Sequence, residues 1–338
     1  MVSYRDVVIP RLPCLEIASL RSIVCFLLMK FLPRFFSFLM LPFLFAASTL
    51  TAAPLKVMLL TGESNRYHDW TKSSPLVKNY LEQTNLFTVD VVTAPAKDVE
   101  KSDFAPKFSD YAAVVLDYET RDWPAAAKQA LSDYVKNGGG LVTIHAADNA
   151  FPLWPEYNEM IGVGGWGMTA TGGVNARNPA EGHKLRFRDG HTVTDDSPGG
   201  YGHPKRADFL VVTRAPEHPI MRGLPASWMH ADDEIYSQLR GPAKNVEILA
   251  TALADKAKTP NASGENEPVL MAIAYGKGRV FHTTLGHVGP NDKPPFLPLT
   301  SVGFIVTLQR GTEWAATGRV TQKVPVDFPS AEKTSVRN

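Results

Sequence analysis

Residues Gly138–Asp148 read GGGLVTIHAAD, a sequence typical of the end of a helix followed by a buried strand. Three glycines end a helical pattern, and the apolar run Leu141–His145 that follows predicts a short buried strand. The preceding helix is expected to begin at Pro124. Its apolar stripe recurs at helical spacing and consists of Ala127, Ala130, Leu131, Tyr134 and Val135. A helix that leads into a continuous apolar strand is the unit from which parallel sheets are built.

The same alternation extends towards the N-terminus. A helix is predicted at Pro75–Gln83, and three further strands are predicted at Lys56–Thr61, Phe87–Val92 and Tyr111–Leu116. We therefore predict an α/β fold with a doubly wound, mostly parallel sheet. Ligands of such sheets bind beyond the carboxyl ends of the strands, so the loops after Thr61, Leu116 and His145 are expected to carry the site.

The second half of the chain is less regular. Its predicted strands are Phe209–Thr213, Val246–Ala250, Val269–Ala274 and Arg279–Thr284. The last two flank Tyr275–Gly278, a hairpin signal, and Phe296–Gln309 predicts a closing helix. Residues 172–207, rich in Gly, His, Asp and Pro, are expected to form a loop over the site. Residues 322–338 are expected to be a loose tail, which leaves 54–321 as a single domain.

Charge and cysteine content exclude several classes of protein. The chain has 35 Lys and Arg against 34 Asp and Glu, so it has no basic field to hold nucleic acid. Residues 1–53 contain five basic and two acidic side chains, and the remainder has a net charge of −2. Cys14 and Cys25 also lie in this stretch. The rest of the chain therefore has no disulfide, no thiolate metal site and no cysteine nucleophile.

The N-terminal stretch is typical of an export signal. Lys30 and Arg34 precede an apolar run, Phe35–Ala47, and small residues follow up to Ala53. This three-part pattern predicts a signal peptide over residues 1–53 and an exported, periplasmic or secreted protein. Residues before Met29 are either an extended basic region or the result of a start codon assigned too far upstream. A single N-terminal membrane anchor is the alternative, although the run is short for a membrane span.

Histidines cluster in the loops where ligands are expected. His68 follows the first strand and His145 ends the fourth, so both are expected at the same sheet edge. His287 follows the late hairpin, and Glu234 lies in the segment WMHADDEIY. Imidazole suits acid–base chemistry or metal ligation near neutral pH. The remaining histidines are expected in loops or, for His282, on a polar strand surface.

Several other motifs resemble functional signatures but lack the sequence context that those signatures require. Gly162–Gly167 matches a dinucleotide fingerprint by letters but follows a predicted helix rather than a strand. Asp232 and Asp233 are adjacent and do not define a glycosidase pair. Trp70, Trp154, Trp166 and Trp228 flank the expected site. Exposed, they stack on a sugar; buried, they pack in the core.

Five segments together resemble the ThuA-like (trehalose-utilisation) family. They are RYHDW at 66–70, GGGLVTIHAADNAF at 138–151, HPIMRGLP with DEIY at 218–236, GKGRVFHTTLGH at 276–287 and GFIVTLQRGTEWAATG at 303–318. The resemblance implies a flavodoxin-like, three-layer α/β/α fold similar to class I glutamine amidotransferases. Those enzymes carry a cysteine nucleophile after a central strand, whereas that region of this chain, Thr143–Asp148, has no cysteine, so the resemblance does not imply glutaminase chemistry.

The resemblance also implies carbohydrate catabolism through keto-glycosides. On this chain the family's recurrent polar residues correspond to His68, His145, Glu234, Tyr236 and His287. We expect His68, His145, Glu234 and His287 to be catalytic. Expected substrate contacts are Trp70, Asp148, Trp166 and Tyr236. The histidines are also candidate ligands of a divalent metal such as zinc.

Two functions remain open from the sequence. One is an enzyme that isomerises, cleaves or hydrolyses a (keto-)glycoside or disaccharide by His and Glu acid–base chemistry. The other is a non-catalytic carbohydrate-binding protein that uses its tryptophans. Both predict a small carbohydrate as partner, with no nucleic acid and no stable membrane anchor, and neither specifies an oligomeric state.

Overall fold

The structure, a computed structural model, describes residues 53–96, 99, 102–120, 122–165, 182–258 and 262–337. Residues 1–52 of the predicted signal peptide, and Trp166, lie outside these ranges. Within them, no helix combines the length and the apolar character that crossing a membrane requires.

The described residues form eleven strands and five helices. The strands are β1 (Leu55–Thr61), β2 (Phe87–Thr93), β3 (Ala113–Leu116), β4 (Gly140–Ile144), β5 (Lys184–Arg188), β6 (His191–Asp195), β7 (Ala207–Thr213), β8 (Ser227–Asp233), β9 (Val246–Leu253), β10 (Asn266–Tyr275) and β11 (Gly278–Thr283). The helices are α1 (Trp70–Glu82), α2 (Ala125–Lys136), α3 (Pro155–Ile161), α4 (Leu297–Thr300) and α5 (Val302–Thr317). Every predicted strand and helix has a counterpart, whereas β5, β6 and β8 were not predicted.

Nine of these strands form one mixed sheet in the order β2-β1-β3-β4-β11-β10-β9-β7-β8. The first five strands are parallel, and each later pairing is antiparallel. The sheet is thus less parallel than the sequence predicts, because two residues join β10 to β11 and only antiparallel strands accept so short a connection. Strands β5 and β6 pair separately, within the excursion expected to be a loop.

Helices cover the sheet on both faces. Val57 and Leu59 of β1 pack in one apolar cluster with α1 and α5, while Met58 and Leu60 pack in a second cluster with α2 and α3. Alternate residues of a strand face opposite sides of a sheet, so a strand buried on both faces reads as a continuous apolar run. That is why the sequence marks the central strands so clearly.

His282 corrects one expectation. It lies on the central strand β11, is fully buried, and its Nδ1 atom is 3.0 Å from the carbonyl oxygen of Ile161. The alternation with Phe281 and Thr283 suggested a polar surface, but helices cover both faces of this strand. His282 is therefore a core residue that donates one hydrogen bond to the end of α3.

One edge of the sheet collects the loops of interest. The parallel strands β1, β3, β4 and β11 all end there. Four antiparallel pairings separate β11 from β8, so β8 runs in the same direction and ends at the same edge. Loops that follow these five strands therefore leave the sheet together.

The C-terminal residues, which the sequence predicts to be a loose tail, make backbone hydrogen bonds to the domain. The Ser330 carbonyl accepts from Met229 on β8 at 2.8 Å, and the Ser335 carbonyl accepts from Val302 on α5 at 2.9 Å. The Phe328 ring also packs against buried Trp228.

Candidate active site

Three histidines converge at the carboxyl edge of the sheet. His68 follows β1, His145 follows β4 and His287 follows β11. One ring nitrogen of each lies within 4.8 Å of the corresponding nitrogens of the other two. His145 Nε2 and His287 Nδ1 are 3.1 Å apart. Sequence positions up to 219 residues apart thus form one cluster, because parallel strands bring their following loops together.

His145 is held in a strained conformation at the end of β4. Its φ angle is +42°, a left-handed value that non-glycine residues seldom adopt. Its Nδ1 atom lies 2.7 Å from the carbonyl oxygen of Thr284. A carbonyl only accepts hydrogen bonds, so Nδ1 carries the proton of the neutral ring. The unprotonated Nε2 therefore faces the cluster.

A turn made by Asn65 positions His68. The Asn65 side-chain oxygen accepts hydrogen bonds from the backbone N–H groups of Tyr67 and His68, at 2.7 and 2.9 Å. The Asn65 amide donates to Glu119 Oε2 at 2.6 Å, and the same oxygen lies 3.3 Å from His68 Nδ1. Glu119 follows β3, so the loops after β1 and β3 together orient this imidazole.

A buried carboxylate positions His287. Asp233, at the end of β8, accepts hydrogen bonds from the backbone N–H groups of Gly286 and His287 at 2.7 and 3.2 Å. His230 Nε2 lies 2.8 Å from the same carboxylate. Burial by itself raises the pKa of Asp233, but the hydrogen bonds from His230 and Gly286 hold it well below its usual range.

Glu234 and Tyr236 contact the histidines. Glu234 Oε2 lies 3.4 Å from His287 Nδ1 and 4.0 Å from His145 Nε2. The Tyr236 hydroxyl lies 2.8 Å from His145 Nε2 and 3.1 Å from His68 Nε2. His203, expected to be only a loop residue, also reaches Glu234, with Nδ1 3.4 Å from Oε1.

Burial dominates the electrostatics of the cluster. The side chains of His68, His145, His287 and Glu234 are only 2–14% exposed. Burial lowers the pKa of His145 well below its usual value and lowers that of His287 to about 4. Burial, followed by the negative charge of Asp233, raises the pKa of Glu234 to about 8. The polypeptide on its own therefore disfavours charge on His145, His287 and Glu234.

A small cleft of about 20 Å³ opens beside the cluster. Of the expected site residues, its lining includes His68, His145 and Trp70. Trp154 and Trp228 are buried in the core. Asp148 is fully buried, and among the described residues neither of its carboxylate oxygens has a hydrogen-bond partner. Burial raises the pKa of this carboxyl well above its usual value and so favours its neutral form.

Asn65, Glu119 and Asp233 were missed from the sequence. The loop after β3 was expected to carry site residues, but Glu119 lies in it without a histidine or a motif beside it. Asn65 had a signal of its own, because asparagine in a loop often bonds the backbone two residues on. Asp233 begins the family segment DEIY, but only the folded chain shows that it reaches Gly286.

The fold and this cluster together define an α/β protein with a histidine, glutamate and tyrosine site at the carboxyl edge of its sheet. The sequence matches the ThuA family, described as trehalose utilisation, over residues 56–315. The chain therefore belongs to the ThuA family, as its five characteristic segments predict.

Solved structures agree with this assignment. A ThuA-like protein from Parabacteroides merdae is 42% identical, with 84% of this chain and 98% of that chain covered and a TM-score of 0.76. A ThuA-like protein from Bacteroides uniformis is 17% identical, with 81% and 96% covered and a TM-score of 0.52. The second likeness shows the fold alone. No curated protein matches the chain.

Proposed function

We propose that the chain is an exported enzyme of carbohydrate catabolism that acts on a glycoside, a keto-glycoside or a disaccharide by acid–base chemistry. The observation that carries the proposal is the convergence of Glu234 and Tyr236 with three histidines, two of which line a small cleft. The family description, trehalose utilisation, supports a sugar as the substrate. We extend the proposal to a flavodoxin-like, three-layer fold, because the parallel strands follow the order typical of those sheets.

The chemistry suits a substrate with a keto group. A carbonyl acidifies the neighbouring C–H bond, and a base that removes this proton leaves an electron pair that forms a carbon–carbon double bond. In elimination that pair expels the oxygen of the leaving sugar, and an acid protonates the departing oxygen. In isomerisation the proton returns to a neighbouring atom instead. We assign the carbon proton to Glu234 and the oxygen proton to the Tyr236 hydroxyl, since both groups lie beside His145 Nε2, at 4.0 and 2.8 Å.

Glutaminase activity is not part of the proposal. His145 lies on the sharp turn after β4, where an amidotransferase has its cysteine nucleophile. The only cysteines in the sequence are Cys14 and Cys25, within the predicted signal peptide. Imidazole at this turn suits proton transfer rather than thioester formation.

A purely sugar-binding role has less support. Stacking on a sugar requires exposed aromatic faces, but Trp154 and Trp228 are buried among core side chains. Trp70 alone among the described tryptophans lines the cleft, at the N-terminus of α1. Buried histidines and a buried glutamate are also an unusual lining for a site that only binds.

Turnover of 3-keto-disaccharides tests the proposal directly. The purified protein is expected to release free sugar or form an isomer, measured by chromatography against a protein-free blank. Glu234→Gln is expected to lower the rate by about 10²–10⁴-fold, the usual range for loss of one acid or base. Glu159→Gln is the matched control, because Glu159 lies on the surface and pairs with Lys244. Sugar binding without any turnover contradicts the proposal and favours the binding protein.

A further inference from the structure

We infer that His68, His145 and His287 bind one divalent transition-metal ion, with zinc the best-fitting candidate. The ligand atoms are His68 Nε2, His145 Nε2 and His287 Nδ1. The inference concerns the same site as the proposed function and rests on it only to that extent. It adds an ion that would polarise a substrate oxygen at this site. Four features of the cluster support it.

The first feature is the assignment of ring protons. His145 donates from Nδ1 to the Thr284 carbonyl, at 2.7 Å. His68 Nδ1 lies 3.3 Å from the Glu119 carboxylate, which only accepts. In neutral rings both protons therefore lie away from the cluster, and both Nε2 lone pairs point into it. A cation is a partner that two facing lone pairs can share.

The second feature is that the protons available near His145 Nε2 are too few for the nitrogen atoms that face one another there. His145 Nε2 lies 2.8 Å from the Tyr236 hydroxyl and 3.1 Å from His287 Nδ1. The Tyr236 hydroxyl has a single proton, yet it also lies 3.1 Å from His68 Nε2. One hydroxyl proton cannot satisfy two unprotonated imidazoles. An ion shared by the three nitrogens accepts all of their lone pairs at once.

The third feature is the spacing of the nitrogens. Zinc binds imidazole at about 2.0–2.1 Å in tetrahedral geometry, which separates two ligand nitrogens by about 3.3 Å. His145 Nε2 and His287 Nδ1 are already 3.1 Å apart, and all three nitrogens lie within 4.8 Å of one another. Three protein ligands and one open position describe a catalytic zinc site.

The fourth feature is the outer shell. Histidine ligands usually donate their second ring N–H to a carbonyl or carboxylate, which fixes the ring. Thr284 fills this role for His145 and Glu119 for His68. The Asp292 carboxylate lies 4.0 Å from His287 Nε2, within reach of a small ring movement. Glu234 stands outside the triplet, with Oε2 3.4 Å from His287 Nδ1 and 4.0 Å from His145 Nε2.

Direct metal binding is the test. The full-length purified protein is stripped with a chelator and titrated with zinc chloride in a calorimeter, with zinc content measured by mass spectrometry after desalting. We expect one zinc per chain. Cobalt chloride is the second probe, because tetrahedral nitrogen-ligated cobalt absorbs visible light. Neither readout depends on catalysis.

Variants assign the ligands. His145→Ala is expected to abolish stoichiometric zinc binding, and Glu119→Gln to weaken it by about 10–100-fold, the usual cost of an altered outer shell. His191→Ala, on the exposed strand β6, is the matched control and is expected to bind zinc like the parent. Thermal melting verifies that each variant is folded. Glu119→Gln keeps all three ligands, so it tests the site even if His145→Ala fails to fold.

The outcomes separate this inference from the proposed function. No stoichiometric zinc or cobalt in the folded parent overturns the inference, as does zinc binding that survives in folded His145→Ala. If the folded parent binds no metal but still turns over the sugar, the proposed function holds without the metal inference. Zinc bound as expected without turnover of any keto-sugar supports the inference and contradicts the proposed function.

Discussion

The carboxylate of Asp233 lies 3.2 Å from the backbone nitrogen of His287, so the last residue of strand β8 holds the loop that carries a site histidine. The backbone N–H of Glu234 donates to the same oxygen at 2.8 Å. One buried carboxylate therefore aligns two residues of the cluster that are 53 positions apart in the chain. Its removal is expected to disturb both.

Asp233→Asn is expected to lower both stability and activity. The amide group replaces one acceptor with a donor that faces the existing N–H groups of Gly286 or His230. An unsatisfied buried donor costs about 1–3 kcal/mol, and urea denaturation measures this loss of unfolding free energy. A shift of the His287 loop by about 1 Å lowers turnover by about 10²-fold.

Asp189→Asn provides the control for this substitution. Asp189 lies in the exposed turn between β5 and β6 with φ of +51°, a conformation that asparagine also adopts readily. Its unfolding free energy is expected to stay within about 0.5 kcal/mol of the parent. Equal losses in both variants would argue against the alignment assigned to Asp233.

His282 makes stability depend on pH. Burial lowers the pKa of His282 to about 4 in the folded protein, against about 6.5 in the unfolded chain. Above pH 6.5 both states are neutral, and this contribution to stability is fully present. As pH falls from about 6.5 towards 4, the unfolded chain binds the proton first, so the fold loses up to about 3 kcal/mol. Urea denaturation at pH 7 and pH 5 measures the effect.

His282→Gln isolates that contribution. The variant lacks the titrating ring, so its stability is expected to fall less between pH 7 and pH 5 than that of the parent. Burial also raises the pKa of Asp117 to about 7, which acts in the opposite direction over this range. Asp117 is present in both proteins, and the difference between them cancels it. Identical pH dependences would show that His282 is not the titrating group.

Export is expected to remove the residues before about Pro54. The basic start, apolar run and small-residue end of this stretch are typical of a cleaved signal peptide. Mass spectrometry of the protein from its native host measures the mature N-terminus. A chain that still begins at Met1 or Met29 would contradict the prediction.

Activity is expected to survive thiol alkylation. After cleavage near Pro54 the chain has no cysteine, so iodoacetamide meets no thiol. The measurement is sugar turnover before and after brief treatment at neutral pH. Loss of activity that follows modification of Cys14 or Cys25 would show that those residues are retained and act.

The sequence correctly predicts that the site lies at the carboxyl edge of the sheet, because the patterns that locate strands are local. Apolar runs followed by polar loops locate β1 and β4, and the parallel connection then places His68 and His145 at one edge. His287 and Glu234 were singled out by residue type and by their place in the chain, and the resemblance to a known family then included both among its recurrent polar residues. Their contact with the other two histidines depends on the relative positions of β8 and β11, which no short-range pattern encodes.

The features that the sequence does not predict depend on contacts between residues far apart in the chain. Strand β8 carries polar residues such as His230 and Asp233, which hide a strand pattern but pair with each other inside the protein. His282 looked like a surface residue because strand alternation does not reveal whether the second face is covered. Glu119 becomes a partner of His68 only when the loops after β1 and β3 meet.

The C-terminal segment has a consequence for solubility. Strand β8 lies at the margin of the large sheet, where free backbone groups can recruit a strand from another molecule. Ser330 occupies one of these groups, the N–H of Met229, and Phe328 covers the neighbouring Trp228. In a chain that ends before Asp327, the edge strand β8 would lose both this hydrogen bond and the contact with Phe328. Such a truncated protein is expected to self-associate through β8. The last dozen residues therefore reduce aggregation by covering this edge strand.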